Sequence, residues 1–393
     1  MPTRCQPMNP RPPQRERARE RVPAIALALS LGLGACGSTT APASSGPASA
    51  IAAASAPVTA RPSGGSAASA KPALASAAPA QKLRVGGSGI ATEVAKMIAE
   101  DRGYFAQEGV QIEDVPLTGN SSDTIPMLAG AQLDIAGGAP SASLFNSVNR
   151  NVGLKIVVPM IVADKNDRSA AMIVRKDLVD GGGYKGPQDF KGKKIGVVGL
   201  GSFSQYAVQQ LLAKANLTGN DVTWVPLSFP DLVTGLANKG IDAAWEVEPF
   251  ITAAEDKSVA KMVADIGDVL PGFPEGVEMA SPSILKDHPD AVQRFVTAII
   301  RAERDYHKAI DLNQGGRDQV VQTLIAHTAI KDRKQYERIG LGPVDPNGTF
   351  DLKVLDGLQD FFIQAGALQQ KADVGKLVDQ SFVDKAVQQL GKA

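Results

Sequence analysis

From residue 82 onward the apolar positions follow two alternating periods. Leu83-Arg84-Val85-Gly86 and Val110 to Val115 read as strands. Between them, Ala91 to Arg102 places Val94, Met97 and Ile98 on one helical face. Thr124 to Ala129 reads as a short helix, Leu133 to Ala136 as a third strand, Ala142 to Asn149 as a helix, and Leu154 to Val162 as strand-like. Gly86-Gly87-Ser88-Gly89 and Gly137-Gly138-Ala139-Pro140-Ser141 are the turns that separate strand from helix. This alternation predicts an α/β lobe with a mostly parallel sheet.

Ala170 to Val174 reads as a strand crossing to something new, and a second run of the same kind follows. Its strands are Ile195 to Val198, Val222 to Leu227 and Ile241 to Trp245, with helices over Phe203 to Ala215 and Asp231 to Ala237. A further helix and strand lead to about Asp268. Beyond Ser281 the pattern turns helical, over Ala291 to Ile310, Arg317 to His327 and Asp351 to Ala365. With no sheet of its own, that block is expected to pack back on the first lobe. The two runs carry a weak echo. Leu128 to Ala136 resembles Leu236 to Ala244, each reading as a helix end with Gly or Asn near its cap, an Asp, and then a strand.

The stretch Lys193 to Tyr206 holds the most suggestive chemistry. A buried, β-branched strand runs through Gly199 and Gly201 into a helix that Ser202 can cap. Free backbone N–H groups at such a helix start, with the hydroxyls of Ser202 and Ser204, suit an anionic or carbonyl-rich ligand. A plain strand-to-helix turn is the alternative.

The first 81 residues have a different character. Six arginines between Arg4 and Arg21 precede Val22 to Ala35, which is almost wholly apolar or small and short for a membrane span. This is the build of a signal peptide. It ends Leu33-Gly34-Ala35-Cys36, which resembles a bacterial lipobox and makes Cys36 the expected lipidation site, at the new N-terminus. The mature chain would then hold a single cysteine and no internal disulfide. Residues 37–81, built of Ala, Ser, Pro, Gly and Thr, carry too little large apolar surface to offset ordering and are expected to be a disordered tether. Export argues against NAD or ATP as a consumed cofactor. Lys plus Arg and Asp plus Glu both total 41, and aromatic residues make up 5%, so neither charge nor stacking points to nucleic acid.

Several motifs then stand in a telling order. They are Arg102-Gly103-Tyr104-Phe105 with Glu108-Gly109-Val110, Leu128-Ala129-Gly130 with Leu133-Asp134, and Phe190-Lys191-Gly192-Lys193-Lys194-Ile195-Gly196. Gly240-Ile241-Asp242-Ala243-Ala244 with Glu248-Pro249-Phe250, and His288-Pro289-Asp290-Ala291-Val292, complete the set. In this order and spacing the chain resembles the substrate-binding proteins of ABC importers for nitrate, sulfonates, taurine and the thiamine pyrimidine precursor, over nearly all of residues 82–393.

The resemblance implies a two-lobe α/β fold of the periplasmic-binding-protein-like type II, with a hinge and an inter-lobe cleft. Lobe 1 would take in residues 82–170 and 276–393 and lobe 2 residues 171–275, with crossovers near Ala170 and Gly276. Ligand would lie in the cleft, beyond the strand ends. Carried over position by position, its lining would be Ser88, Gly89, Gly138 and Ser141 from the first lobe, with Gly201, Ser202 and Ser204 from the second. Trp245 and Glu248 would follow the last strand of that lobe. The implied partners are a small-molecule ligand, an ABC permease and, through the lipid anchor alone, the membrane. The chain is expected to be a monomer without cofactor or nucleic acid.

Other chemistry finds less footing. Gly199 to Ser204 comes one residue from a dinucleotide fingerprint, but the next strand ends Pro226-Leu227-Ser228 with no acid for a ribose. Ser204 lacks the flanking glycines of a nucleophile elbow. His288, His307 and His327 have no second His or Cys at metal-ligand spacing. Trp245 reads equally as a core aromatic or as a flat wall against ligand. Glu248 reads as a local cap or as a partner for a ligand amine, and with Glu246 it keeps a zwitterionic or cationic ligand open beside an anionic one. The expected function is capture of a small polar molecule, anionic or zwitterionic, without covalent chemistry. An exported enzyme using the same cleft and a ligand-presenting sensory module are the alternatives.

Overall fold

The computed structural model describes residues 80–117, 121–165, 167–349 and 351–393. The expected leader, Cys36 and the tether lie outside the described residues, apart from residues 80 and 81.

Among the described residues, ten strands form two five-stranded sheets. The first has the order β2-β1-β3-β10-β4 and the second β7-β6-β8-β5-β9. In the first sheet β1 (Gln81–Gly87), β2 (Val110–Pro116), β3 (Ile135–Gly138) and β4 (Lys155–Pro159) run in one direction. β10 (Val277–Ala280) runs against β3 and β4 between them. In the second, β6 (Lys194–Val197), β7 (Thr223–Pro226), β8 (Ala243–Val247) and β9 (Ala260–Asp265) share a direction. β5 (Ala170–Arg175) runs against β8 and β9. Each sheet therefore carries one reversed strand, at its fourth position. In each case it is the strand delivered by a crossover from the other lobe, which is the two-lobe periplasmic-binding-protein-like arrangement.

Why β10 left no mark in the sequence is plain. It is four residues long, and Glu278 in its middle is buried like its neighbours, so the pattern neither alternates nor runs continuously apolar. Val277–Ala280 thus adds a strand to the first sheet, in the stretch between Asp268 and Ser281 to which the sequence pattern assigns no element.

The echo between the two halves has a geometric basis. In the first lobe Asp134 donates its N–H to the Arg84 carbonyl (2.9 Å), and its Oδ2 accepts from the Arg84 N–H (2.8 Å). In the second, Asp242 makes the same pair of bonds to Lys194, at 2.8 and 2.9 Å. Each carboxylate thus fixes the register of the third strand against the first. The left-handed residues of the two turns are Ala131 (φ 53°) and Lys239 (φ 60°), not the adjacent Gly130 and Asn238.

Helix α1 (Val94–Asp101) precedes β2, α2 (Ser121–Ala129) precedes β3 and α3 (Ala142–Asn149) follows it. In the second lobe α4 (Phe203–Ala213) follows β6, α5 (Phe229–Ala237) follows β7 and α6 (Phe250–Asp256) follows β8. The long helix α7 (Pro289–Ala309) buries Phe295 against Phe105 (5.2 Å between ring centres) in the first lobe. Helix α8 (Arg317–His327) joins the same core through Val320 and Leu324. Helix α9 (Val354–Gln364) departs from the expectation, because it touches both lobes. Phe362 lies 6.0 Å from Phe145 of α3, and Phe361 lies 5.1 Å from Tyr206 of α4.

Candidate functional site

The ends of β1, β3, β6 and β8 converge on a cavity of about 50 Å³, room for a few waters or a small head group. The first lobe contributes Ser88, Ile90, Thr92 and Glu93 after β1, Gly138 and Ala139 at the end of β3, and Met160 after β4. The second contributes Val198, Ser202, Phe203 and Ser204 after β6, Phe229 at the start of α5, and Trp245 and Val247 from β8. Ala170, which begins β5, and Glu275 and Gly276 lie on the two crossovers and complete the wall. Around it the lobes are joined backbone to backbone. Ala91 N–H donates to the Glu248 carbonyl and Ala142 N–H to the Gly201 carbonyl, both at 3.2 Å. The cleft is closed.

Of the residues that the sequence placed here, Ser88, Gly138, Ser202, Ser204 and Trp245 line the cavity; Gly89, Ser141, Gly201 and Glu248 do not. Those four have structural work instead. Gly89 (φ 66°) gives its N–H to Glu93 Oε2 at 3.0 Å. Ser141 is buried and caps α3, its Oγ accepting from Leu144 N–H at 3.4 Å. Gly201 (φ 68°) makes the cross-lobe bond to Ala142, and an added Cβ would stand 3.3 Å from Ala367 and 3.5 Å from Ala142. Glu248, one residue beyond β8, accepts from the N–H and Oγ1 of Thr252 (3.0 and 2.8 Å) and from Gly340 N–H (3.4 Å). Burial pushes its carboxyl up to about 7 against those bonds.

Ser202 caps α4, as its position before the helical run predicts. Its Oγ donates to the Gly199 carbonyl at 2.6 Å and accepts from Gln205 N–H at 3.4 Å. It also lies 2.8 Å from Ser204 Oγ, which accepts from Val198 N–H at 3.1 Å. A hydroxyl has one proton. Since that of Ser202 goes to Gly199, Ser204 must donate to Ser202, and both protons are taken within the loop.

Glu93 does the corresponding job in the first lobe. It accepts from Ser88 N–H (2.7 Å) and Gly89 N–H, so the loop amides expected to meet ligand meet a carboxylate of the chain itself. Desolvation raises its carboxyl above the usual range while the two amide bonds pull it back. Sequence reasoning missed Glu93, although an acidic residue four positions beyond a Gly-Ser-Gly turn can fold back on that turn. It also missed Glu275, for which no local pattern gives a signal, since the crossover brings it to the wall.

Two more features mark the wall. Among the described residues no Lys, Arg or His lines it, and its ionisable groups are Glu93 and Glu275. Two polar atoms on its lining residues are buried without a partner among the described residues: Trp245 Nε1 and Glu275 Oε2. Trp245 lies within β8 rather than beyond it and is both wall and core. It is fully buried, edge-on to Phe203 with ring centres 6.5 Å apart. Ser169 Oγ bonds to Glu275 Oε1 and, at 2.6 Å, to Asp167 Oδ1. Burial, and then Asp167, push the Glu275 carboxyl well above the ordinary range.

Two lobes of matching strand order, joined by two crossovers around a closed cleft, define a periplasmic-binding-protein-like protein. Within that class, residues 93–309 match a family model described as NMT1/THI5 like, more than half of the 393 residues, and the chain belongs to this family. A Bacillus subtilis (strain 168) protein with the provisional name aliphatic sulfonates-binding protein is 24% identical over 212 residues, 53% of this chain. The match spans 60% of that relative's length. Among solved structures, the alkanesulfonate-binding protein SsuA of Xanthomonas axonopodis pv. citri, bound to MOPS, superposes with a TM-score of 0.63 at 20% identity. That match takes in 77% of this chain and 100% of the other. The desulfurization enzyme DSZB has the same fold, with a TM-score of 0.55 at 17% identity, over 79% of this chain and 99% of its own.

Proposed function

We propose that this chain is the solute-binding component of an ABC importer. In this reading it is exported, held at the membrane by lipid on Cys36, and reaches away from the bilayer on the tether of residues 37–81. It acts as a monomer, captures a small polar molecule between lobe 1 (82–170 and 276–393) and lobe 2 (171–275), and hands it unchanged to a permease. The observation that carries the reading is the cavity itself, whose walls come from both lobes and are sealed by the Ala91–Glu248 and Ala142–Gly201 backbone bonds. A ligand that touches both walls favours the closed arrangement over the open one, and closure is the signal a permease can read. The sulfonate-binding names among the relatives support this class of cargo. The amides that start α4 support an anionic or zwitterionic head group.

An exported enzyme is the second reading, favoured by the fold shared with DSZB. Incubating the purified protein with cell extract separates the two. A binding protein yields, on denaturation, a molecule already present in the extract, with the extract otherwise unchanged. Depletion of one compound with catalytic accumulation of another would overturn it.

A further inference from the structure

We propose that Glu93 sets the specificity of the cavity. Its carboxylate fills the amide pair of the first lobe's loop as a built-in anion, so the end of the ligand that faces this lobe must bring hydrogen-bond donors, as an ammonium does, and not an oxyanion. This rests on the binding reading above and chooses the zwitterion from the two head groups left open there.

The two lobes close the same turn in the same way. The register bonds of Asp134 and Asp242 make β1 and β6 equivalent strands. Each runs into a loop with a left-handed glycine, Gly89 (φ 66°) or Gly201 (φ 68°), whose N–H goes to the side chain four residues on. Gly89 N–H donates to Glu93 Oε2 at 3.0 Å, and Gly201 N–H to Gln205 Oε1 at 2.8 Å. A second loop amide is taken in each lobe, that of Ser88 by Glu93 Oε1 at 2.7 Å and that of Val198 by Ser204 Oγ at 3.1 Å. The lobes differ in charge. The second lobe uses a carboxamide and a hydroxyl, and the first uses one carboxylate for both amides. Successive backbone N–H groups at such a turn form a nest that suits an oxyanion, and here the chain supplies the oxyanion itself.

Glu93 is also placed to act on a ligand, since it and Ser88 both line the cavity. Each of its oxygens accepts one amide proton, the arrangement of an ionised carboxylate. Desolvation raises the carboxyl, while the amide bonds and then the Lys96 ammonium pull it back. Lys96 spends its own bonds on Glu100 and Asp114. Ser88 and Thr92 add two side-chain hydroxyls to the same wall, and neither has a hydrogen-bond partner among the described residues. A hydroxyl donates or accepts as its neighbour requires. These two therefore hold a ligand group of either sign, and the choice of sign falls to Glu93. The other carboxyl of the wall, Glu275, is held in a cluster with Ser169 and Asp167.

Two matched pairs of probes test this: propanoate with 3-aminopropanoate, and benzenesulfonate with benzylammonium. Each is titrated against the purified chain by calorimetry, beside thermal melts of every variant. In each pair that binds, the member with the ammonium should bind wild type more tightly, by roughly ten- to a hundredfold, the worth of a hydrogen bond to a charged group. Glu93→Gln, which gives the first lobe the side chain that the second already uses, should abolish or reverse that preference. Ser88→Ala and Thr92→Val should weaken both members of a pair alike; loss of the preference in either would overturn the proposal by placing the choice on the hydroxyls. A wild type without the preference overturns it too and leaves the binding-protein reading intact. So does a folded Glu93→Gln with a lowered melting temperature and the preference unchanged, because Glu93 is then a brace for the loop and nothing more. Glu93→Ala takes its place if Glu93→Gln does not fold, and the wild-type preference decides if neither folds. If no probe binds, the molecule released from freshly purified protein by denaturation decides: one with an ammonium or other N–H donor end supports the proposal, and one without overturns it. Release of nothing overturns both the proposal and the binding reading.

Discussion

Ser202→Ala separates a cap from a ligand contact. The Ser202 hydroxyl makes three bonds: to the Gly199 carbonyl, to Gln205 N–H and to Ser204 Oγ. Alanine removes all three. Losing the cap of α4 costs about 1 kcal/mol. The buried groups left behind, chiefly the Gly199 carbonyl and the Ser204 proton, add about 1 kcal/mol more if they recover only part of their bonding. A total of about 2 kcal/mol lowers the melting temperature by roughly 4–8 °C, using the 2–4 °C per kcal/mol typical of large domains. Because neither hydroxyl has a spare proton, affinity for the small molecule released from wild-type protein should change less than about threefold. Thermal melts beside isothermal titration give both numbers. Unchanged stability with a loss of affinity of roughly tenfold or more would refute the proton assignment and put Ser202 in direct contact with ligand.

Three further perturbations follow from the same geometry. Glu278, buried in β10 beside Glu93, has its carboxyl pushed up to about 8, so the folded chain holds a proton that the unfolded chain releases near pH 4.5. Stability therefore falls as pH rises from about 5 through 8, and Glu278→Gln should relieve a cost on the order of 5 kcal/mol at pH 8.5 while changing little at pH 5; a variant less stable than wild type at both pH values in denaturant titrations would contradict this. Gly201→Val combines the strain of a positive φ with methyls set against Ala142 and Ala367 across the cleft. It should cost about 1–2 kcal/mol and enlarge the radius of gyration in small-angle scattering, and an unaltered scattering curve would show that the lobes close without this contact. Cys36→Ser should release the protein from membranes on fractionation, whereas equal membrane association of variant and wild type would remove the lipid anchor from the account.

The parts of the fold that a local pattern specifies were legible in the sequence. The apolar runs of β1, β4, β5 and β6 and the faces of α1 and α7 follow from period alone. The echo of Asp134 and Asp242 marked an equivalence that the register bonds to Arg84 and Lys194 explain. β10 was not legible, because a four-residue strand holding a buried glutamate is set by its neighbours on both sides. The same holds for the site. Ser202 announced itself as a cap, and Trp245 as an aromatic at a strand end. Of the two readings of Glu248, a local cap and a partner for a ligand amine, the structure shows the local one, with Thr252 four residues on bonding both oxygens; the further bond from Gly340 N–H had no signal in the sequence. Glu275 reaches the cavity wall only through the path of the second crossover, and its link to Ser169 spans more than a hundred residues.

Closure around one small molecule is the central claim, and native mass spectrometry of the purified chain after incubation with cell extract tests it most directly. The account predicts one adduct per chain, lost on denaturation as a species of the mass found in the extract, with hydrogen exchange slowed at the loops after β1 and β6 while the adduct is bound. A chain that gains no adduct from extract, or that releases a molecule of altered mass, would contradict it.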